Sequence, residues 1–332
     1  MGQFSGEAGS RHNERVRQTK DAEKILNLGK ESGGFDMYAS QEGGKYVLSI
    51  GQVHSDVMLK GTENAFEKLT EGGIQDLIDN QKHIEALLLN LKENYGVKEI
   101  YLEDTPSSWS LKKIDLLKNE LGAIANPETK LSFIEAACAH FDDSMFDCEK
   151  GPLLYCLQHA LQELATTDLN EAGRVRAATL QKNIASSPLV SGENVYLWGG
   201  ALKLFVEGKM NAKIADADKE AAKEFASKNF FAETPGIQND DENENLEQRL
   251  RSAKIMASKM ADQKDFMRMF IANNNFREDA ALDIIARDAV HSSQRFYPLV
   301  FGVAHDFSDN IKKYDESHGP GLGLINIYEK AR

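Results

Sequence analysis

Apolar residues follow two rhythms along this chain. Short continuous runs at Tyr46–Ile50, Glu99–Glu103, Asn194–Trp198, Tyr297–Phe301 and Gly321–Tyr328 have the length and make-up of buried strands. Elsewhere apolar positions recur every three or four residues. Ile74, Leu77, Ile78, Ile84, Leu87, Leu88 and Leu91 predict a helix from Ile74 to Tyr95, with Gly96 placed to stop it. Further helices are expected over Leu111–Leu121, 152–185, Asp216–Phe230, about Leu246 to Ile271, and Arg277–Ser292. Leu131–Ala137 fits either rhythm.

Strand, helix and strand in succession imply a parallel crossover, and their alternation along the chain implies the α/β class. The expected architecture is a single α/β domain over residues 36–332. It has a central, mostly parallel sheet flanked and capped by many helices, with cap insertions at about 138–190 and 210–275. Residues 1–35 are polar and charged, with scattered Gly and Ser, and predict a flexible leader with a short helix around Ala22–Leu28. The acidic stretch Asn239–Asn245 contains no apolar residue and predicts a solvated loop.

Charge narrows the function classes. Acidic residues outnumber basic ones, 52 to 39, for a net charge of −13. Phosphate-rich partners select basic surfaces, so nucleic acid is not expected as a partner, and neither is an anionic membrane surface. No apolar stretch approaches the roughly 20 residues of a membrane span, and the polar amino terminus has no apolar signal core. The three cysteines, Cys138, Cys148 and Cys156, lack paired metal-site spacing and read as reduced thiols of a cytoplasmic protein. Export by a route independent of an amino-terminal signal stays open.

Two of the strand runs share an ending. Tyr46-Val47-Leu48-Ser49-Ile50 continues as Gly51-Gln52-Val53-His54, and Tyr297-Pro298-Leu299-Val300-Phe301 continues as Gly302-Val303-Ala304-His305. Each histidine follows the carboxyl end of a strand, the edge at which open α/β sheets bind ligands. Glu103 ends a third strand. Neighbouring strands lie about 4.8 Å apart, so end groups of adjacent strands can share a ligand. His54, Glu103 and His305 form a two-histidine, one-carboxylate set. With water it suits a divalent metal such as zinc, manganese, cobalt or iron. Without metal it suits acid–base hydrolysis, a histidine activating water and the carboxylate orienting it. Arg277, in Arg277-Glu278-Asp279, can hold a substrate anion or stabilise an oxyanion. Glu278 and Asp279 are expected there from the dipole at a helix start.

The blocks Gly51–His54, Glu103 after a strand, Arg277-Glu278-Asp279-Ala280-Ala281-Leu282, and Gly302–His305 occur in an order that resembles the TraB/TIKI, erythromycin esterase and ChaN-like superfamily. The resemblance rests on four short blocks over residues 46–306. It implies one erythromycin esterase/ChaN-like α/β fold with His54, Glu103, Arg277 and His305 lining one cleft. It also implies a hydrolase, esterase- or metallopeptidase-like, acting on ester or amide bonds of a small-molecule or peptide substrate. The alternative it carries is a non-catalytic haem- or metal-binding protein.

Overall fold

The structure, a computed structural model, describes residues 23–28, 35–41, 44–52, 71–103, 110–141, 147–215, 263–302, 305–318 and 321–329. Six strands form one sheet: β1 (Phe35–Gln41), β2 (Lys45–Gln52), β3 (Glu99–Leu102), β4 (Asn211–Ile214), β5 (Phe296–Gly302) and β6 (Leu322–Glu329). Their order is β1-β6-β2-β5-β3-β4. Only β1 runs antiparallel, against β6; every other pairing is parallel. The α/β class and the mostly parallel sheet therefore hold.

Helices cover both faces. On one side lie α1 (Glu71–Tyr95), α2 (Ser110–Ala123), α3 (Pro127–His140), α4 (Asp147–Leu164), α5 (Glu171–Ala185) and the short α6 (Gly200–Val206). Ile84, Leu87, Ile114 and Leu157 from this layer meet Leu48, Ile50, Ile100 and Val300 from the sheet in one core. On the other side lie α7 (Gln263–His291) and α8 (Ser308–His318). There Leu282 and Ile285 of α7 and Ile311 of α8 pack on Val47, Tyr101, Tyr297, Leu299 and Phe301. Burying each such side chain contributes about 1.5–3 kcal/mol. Among the described residues no helix is long and apolar enough to cross a membrane.

Local chemistry explains several boundaries. α1 ends at Gly96, whose φ of 66° suits a residue without Cβ. The N–H of Gly96 donates to Lys92 O, the 5→1 bond of an αL ending, and that of Val97 donates to Leu91 O. α3 resolves the ambiguous segment at 131–137 as helix. Asn126 caps it by accepting from the Thr129 N–H at 2.9 Å, and Pro127 occupies the first turn.

Two expectations are corrected. Asn194–Trp198 is no strand but part of a 3-10 helix, Gly192–Trp198, flanked by Gly192 and Gly199 at φ 56° and 120°. It lies against α1, where Tyr196 Oη donates to Glu85 at 2.6 Å. The short helix expected around Ala22–Leu28 is present over residues 23–28, with Ile25 and Leu28 buried, and β1 precedes β2. The helix expected to begin at Arg277 is the second half of α7, which is continuous from Gln263. The helix expected at Asp216–Phe230 and the acidic loop Asn239–Asn245 lie outside the described residues.

The topology marks one crevice. β2 and β5 are neighbours at the centre of the sheet. From β2 the chain leaves through α1 toward β3 on one side. From β5 it leaves through α8 toward β6 on the other side, across the opposite face. Adjacent strands whose connections diverge open a crevice at their carboxyl ends. Both strands end there together, since Gln52 pairs with Gly302 in the parallel register.

Candidate functional site

The two segments are not equivalent in the pleat. Gly51 pairs with Phe301 and Gln52 with Gly302, so the two glycines fall on opposite faces of the sheet. The repeat in sequence is not a repeat in geometry. His54 lies outside the described residues, and the site is built here from its other members.

Glu103 is held by its strand. Its backbone N–H continues the ladder to Val300 O at 3.2 Å, one residue beyond β3. Its carboxylate is almost fully buried and both oxygens are occupied. Oε2 accepts the Gly302 N–H at 2.8 Å, and Oε1 lies 2.7 Å from a guanidinium nitrogen of Arg277. The ion pair ties α7 to the carboxyl ends of β3 and β5. Gly302 thus serves the site as an N–H donor.

His305 comes soon after β5, and its N–H donates to Gly302 O at 3.0 Å. The ring is buried, with 4% of the side chain exposed. Phe301 meets it edge-on at 5.2 Å and Phe307 lies roughly parallel at 6.2 Å. Nδ1 lies 3.0 Å from Glu278 Oε1. A carboxylate only accepts, so Nδ1 carries the proton and donates. The Asp306 N–H, at 3.2 Å, donates to the same oxygen and fixes it further. Nε2 faces Glu103 Oε1 at 3.4 Å, which is longer than a well-formed N–H···O bond.

Glu278 is the member that sequence reasoning missed. As part of a helix start it needed no partner. Within α7 it sits on the buried stripe Asn274, Glu278, Ala281, Leu282, Ile285 and Ala289, spaced for one helix face. A carboxylate on a core-facing stripe requires a partner, and His305 is that partner. The signal was present in the spacing but needed the true start of the helix.

Electrostatics follow from this layout. Glu103 and Glu278 carry two negative charges, Arg277 one positive, and a protonated His305 a second. Burial by itself would lower the His305 pKa. The contacts with the Glu103 and Glu278 carboxylates and the Glu103 charge oppose that and win, so the pKa is raised above its ordinary value of 6.5. Protonating the imidazole makes the buried quartet neutral. Arg277 opposes the rise without reversing it.

The metal expectation fits the described members poorly. Glu103 has both oxygens engaged, one of them by the Arg277 cation at 2.7 Å, where a divalent ion would have to displace a guanidinium. His305 has its second nitrogen turned to that same oxygen. Among the described residues no group of three His, Cys, Asp or Glu side chains is placed to hold a metal ion. The His305 imidazole, buried between two carboxylates, is not itself offered to a haem iron. Comparison with protein-family models, with curated proteins and with solved structures returns no match.

Proposed function

We propose that this chain is a hydrolase of ester or amide bonds in which His305 is the general base and acts without metal. The observation that carries the reading is the asymmetric hold on His305: Nδ1 bound to Glu278 at 3.0 Å, Nε2 left with a 3.4 Å contact beside the Glu103–Arg277 pair. A buried carboxylate on one imidazole nitrogen fixes the tautomer and leaves the other nitrogen as the basic atom. Water near Nε2 gives up a proton to it and attacks the carbonyl carbon. The imidazolium so formed lies between two carboxylates, which is the environment that raises its pKa. Collapse of the tetrahedral intermediate returns that proton to the leaving alkoxide or amine. Arg277, held in place by Glu103, supplies a cation for the developing oxyanion.

The choice of ester or amide bonds comes from the resemblance of the four sequence blocks to the esterase-containing superfamily. The acid–base assignment comes from geometry. Purified protein is tested against aryl esters and short peptides, with His305→Ala and Glu278→Gln as controls. Turnover that vanishes in His305→Ala while the variant keeps its fold supports the reading. Undiminished turnover in His305→Ala overturns it.

A further inference from the structure

A second feature stands apart from His305. A pocket of about 470 Å³ lies in the helical layer between α2, α4 and α6 and reaches α3 through Lys130. Its lining residues Val206, Glu207 and Gly208 lead into the amino end of β4, whereas Glu103 and His305 follow the carboxyl ends of β3 and β5. Its size is that of a small-molecule site.

The lining combines apolar residues with two lysines, Lys118 and Lys130, and two glutamates, Glu163 and Glu207. Leu121, Leu164 and Val206 provide the floor. The Lys130 ammonium makes no hydrogen bond or ion pair among the described residues; its backbone N–H donates to Asn126 O at 2.9 Å. Lys118 donates to a carbonyl, Phe205 O at 2.6 Å, and sits 4.4 Å from the Phe205 ring centre; among the described residues no carboxylate lies within ion-pair distance of it. Partial burial lowers its pKa, as expected for an ammonium with little compensation. Glu207, the buried carboxylate of the lining, is already matched: Lys203 and Lys209 lie 2.7 Å from its two oxygens, and Tyr155 Oη donates to it at 2.7 Å. Glu163 is exposed. In a chain of net charge −13, two lysines lining one pocket with no carboxylate within ion-pair distance among the described residues need an explanation.

We propose that this pocket binds a small amphipathic carboxylate, its head between Lys118 and Lys130 and its hydrocarbon on Leu121, Leu164 and Val206. Two point-charge ammoniums without an arginine fork suit a monoanion better than a phosphate dianion, and the floor suits an alkyl chain. The site is separate from His305 and does not depend on the hydrolase reading.

Octanoate is the probe, titrated calorimetrically into the full-length protein. The expected result is saturable binding at one site, weakened at least about tenfold in Lys118→Met and in Lys130→Met, and unchanged in His305→Ala. The uncharged analogue 1-octanol is expected to bind at least about tenfold more weakly than octanoate. Should Lys118→Met fail to fold, Lys130→Met carries the test, since the Lys130 ammonium holds no other described group in place. Binding that does not saturate, that is the same in the lysine variants, or that octanol matches overturns the proposal.

Discussion

Glu278 Oε1 lies 3.0 Å from His305 Nδ1, joining the core-facing stripe of α7 to the chain after β5. The bond is buried on both sides, at 3% and 4% side-chain exposure. It sets which imidazole nitrogen is left to react, and most expected effects of mutation follow from it.

Replacing Glu278 by Gln keeps the shape and removes the charge. The amide can present either end to Nδ1, so the tautomer is no longer fixed. The turnover number is expected to fall about 10²–10⁴-fold, the range for losing positioned acid–base catalysis. The His305 pKa is expected to drop, because one of its two stabilising carboxylates is gone. An NMR titration of the imidazole Cε1–H reads the second effect independently of turnover. A pKa that stays raised in the variant would place its cause elsewhere.

Arg277→Met takes the guanidinium away from the Glu103 carboxylate, which is buried beside His305. Removing one partner of a buried ion pair costs about 3 kcal/mol or more. Urea denaturation should show that loss. The variant should also raise the His305 pKa further, since Arg277 opposes protonation of the ring. A stability change within about 0.5 kcal/mol, the range of ordinary surface substitutions, would mean the Arg277–Glu103 pair is not formed.

Stability and activity should respond to pH in opposite directions. The His305 pKa is raised in the folded state, so its stabilising contribution is complete below the unfolded value of about 6.5 and disappears as pH rises through the folded value. Wild type should therefore lose stability relative to His305→Gln as pH rises through that window. Turnover should rise through the same window, because the neutral imidazole is the base. Denaturation curves and rate profiles over one pH series check both. Activity that falls as the imidazole loses its proton would make His305 an acid rather than a base.

Chelation separates the metal-free account from its rival. Dialysis against EDTA and 1,10-phenanthroline should leave turnover unchanged, since Arg277 occupies the cation position beside Glu103. Loss of turnover restored by zinc, manganese, cobalt or iron would return the site to a metal held with His54.

Much of the frame was legible in the chain. β2, β5 and β6 are apolar runs, and α1 has both its spacing and its stop at Gly96. The segments that misled did so for physical reasons. Val195, Tyr196, Leu197 and Trp198 have strand-like side chains, yet packing on α1 between two positive-φ glycines makes them a 3-10 helix. β1 alternates exposed Asp36 and Tyr38 with buried Phe35 and half-buried Met37 in an edge strand that carries no β-branched residue, so its apolar signal is thin. β4 has only four residues. At the site, Glu103, Arg277 and His305 were singled out from their places after strands or near the last one, and they converge. Glu278 was passed over because a carboxylate in a first helical turn is ordinary, while one on the buried stripe of a long helix is not.

The most direct measurement is the hydrolysis of aryl esters and short peptides by wild type and His305→Ala, with thermal denaturation confirming that both are folded. The account predicts turnover in wild type that rises through the His305 titration and is lost, by about 10²-fold or more, in the variant. Equal turnover in the two folded proteins would contradict it.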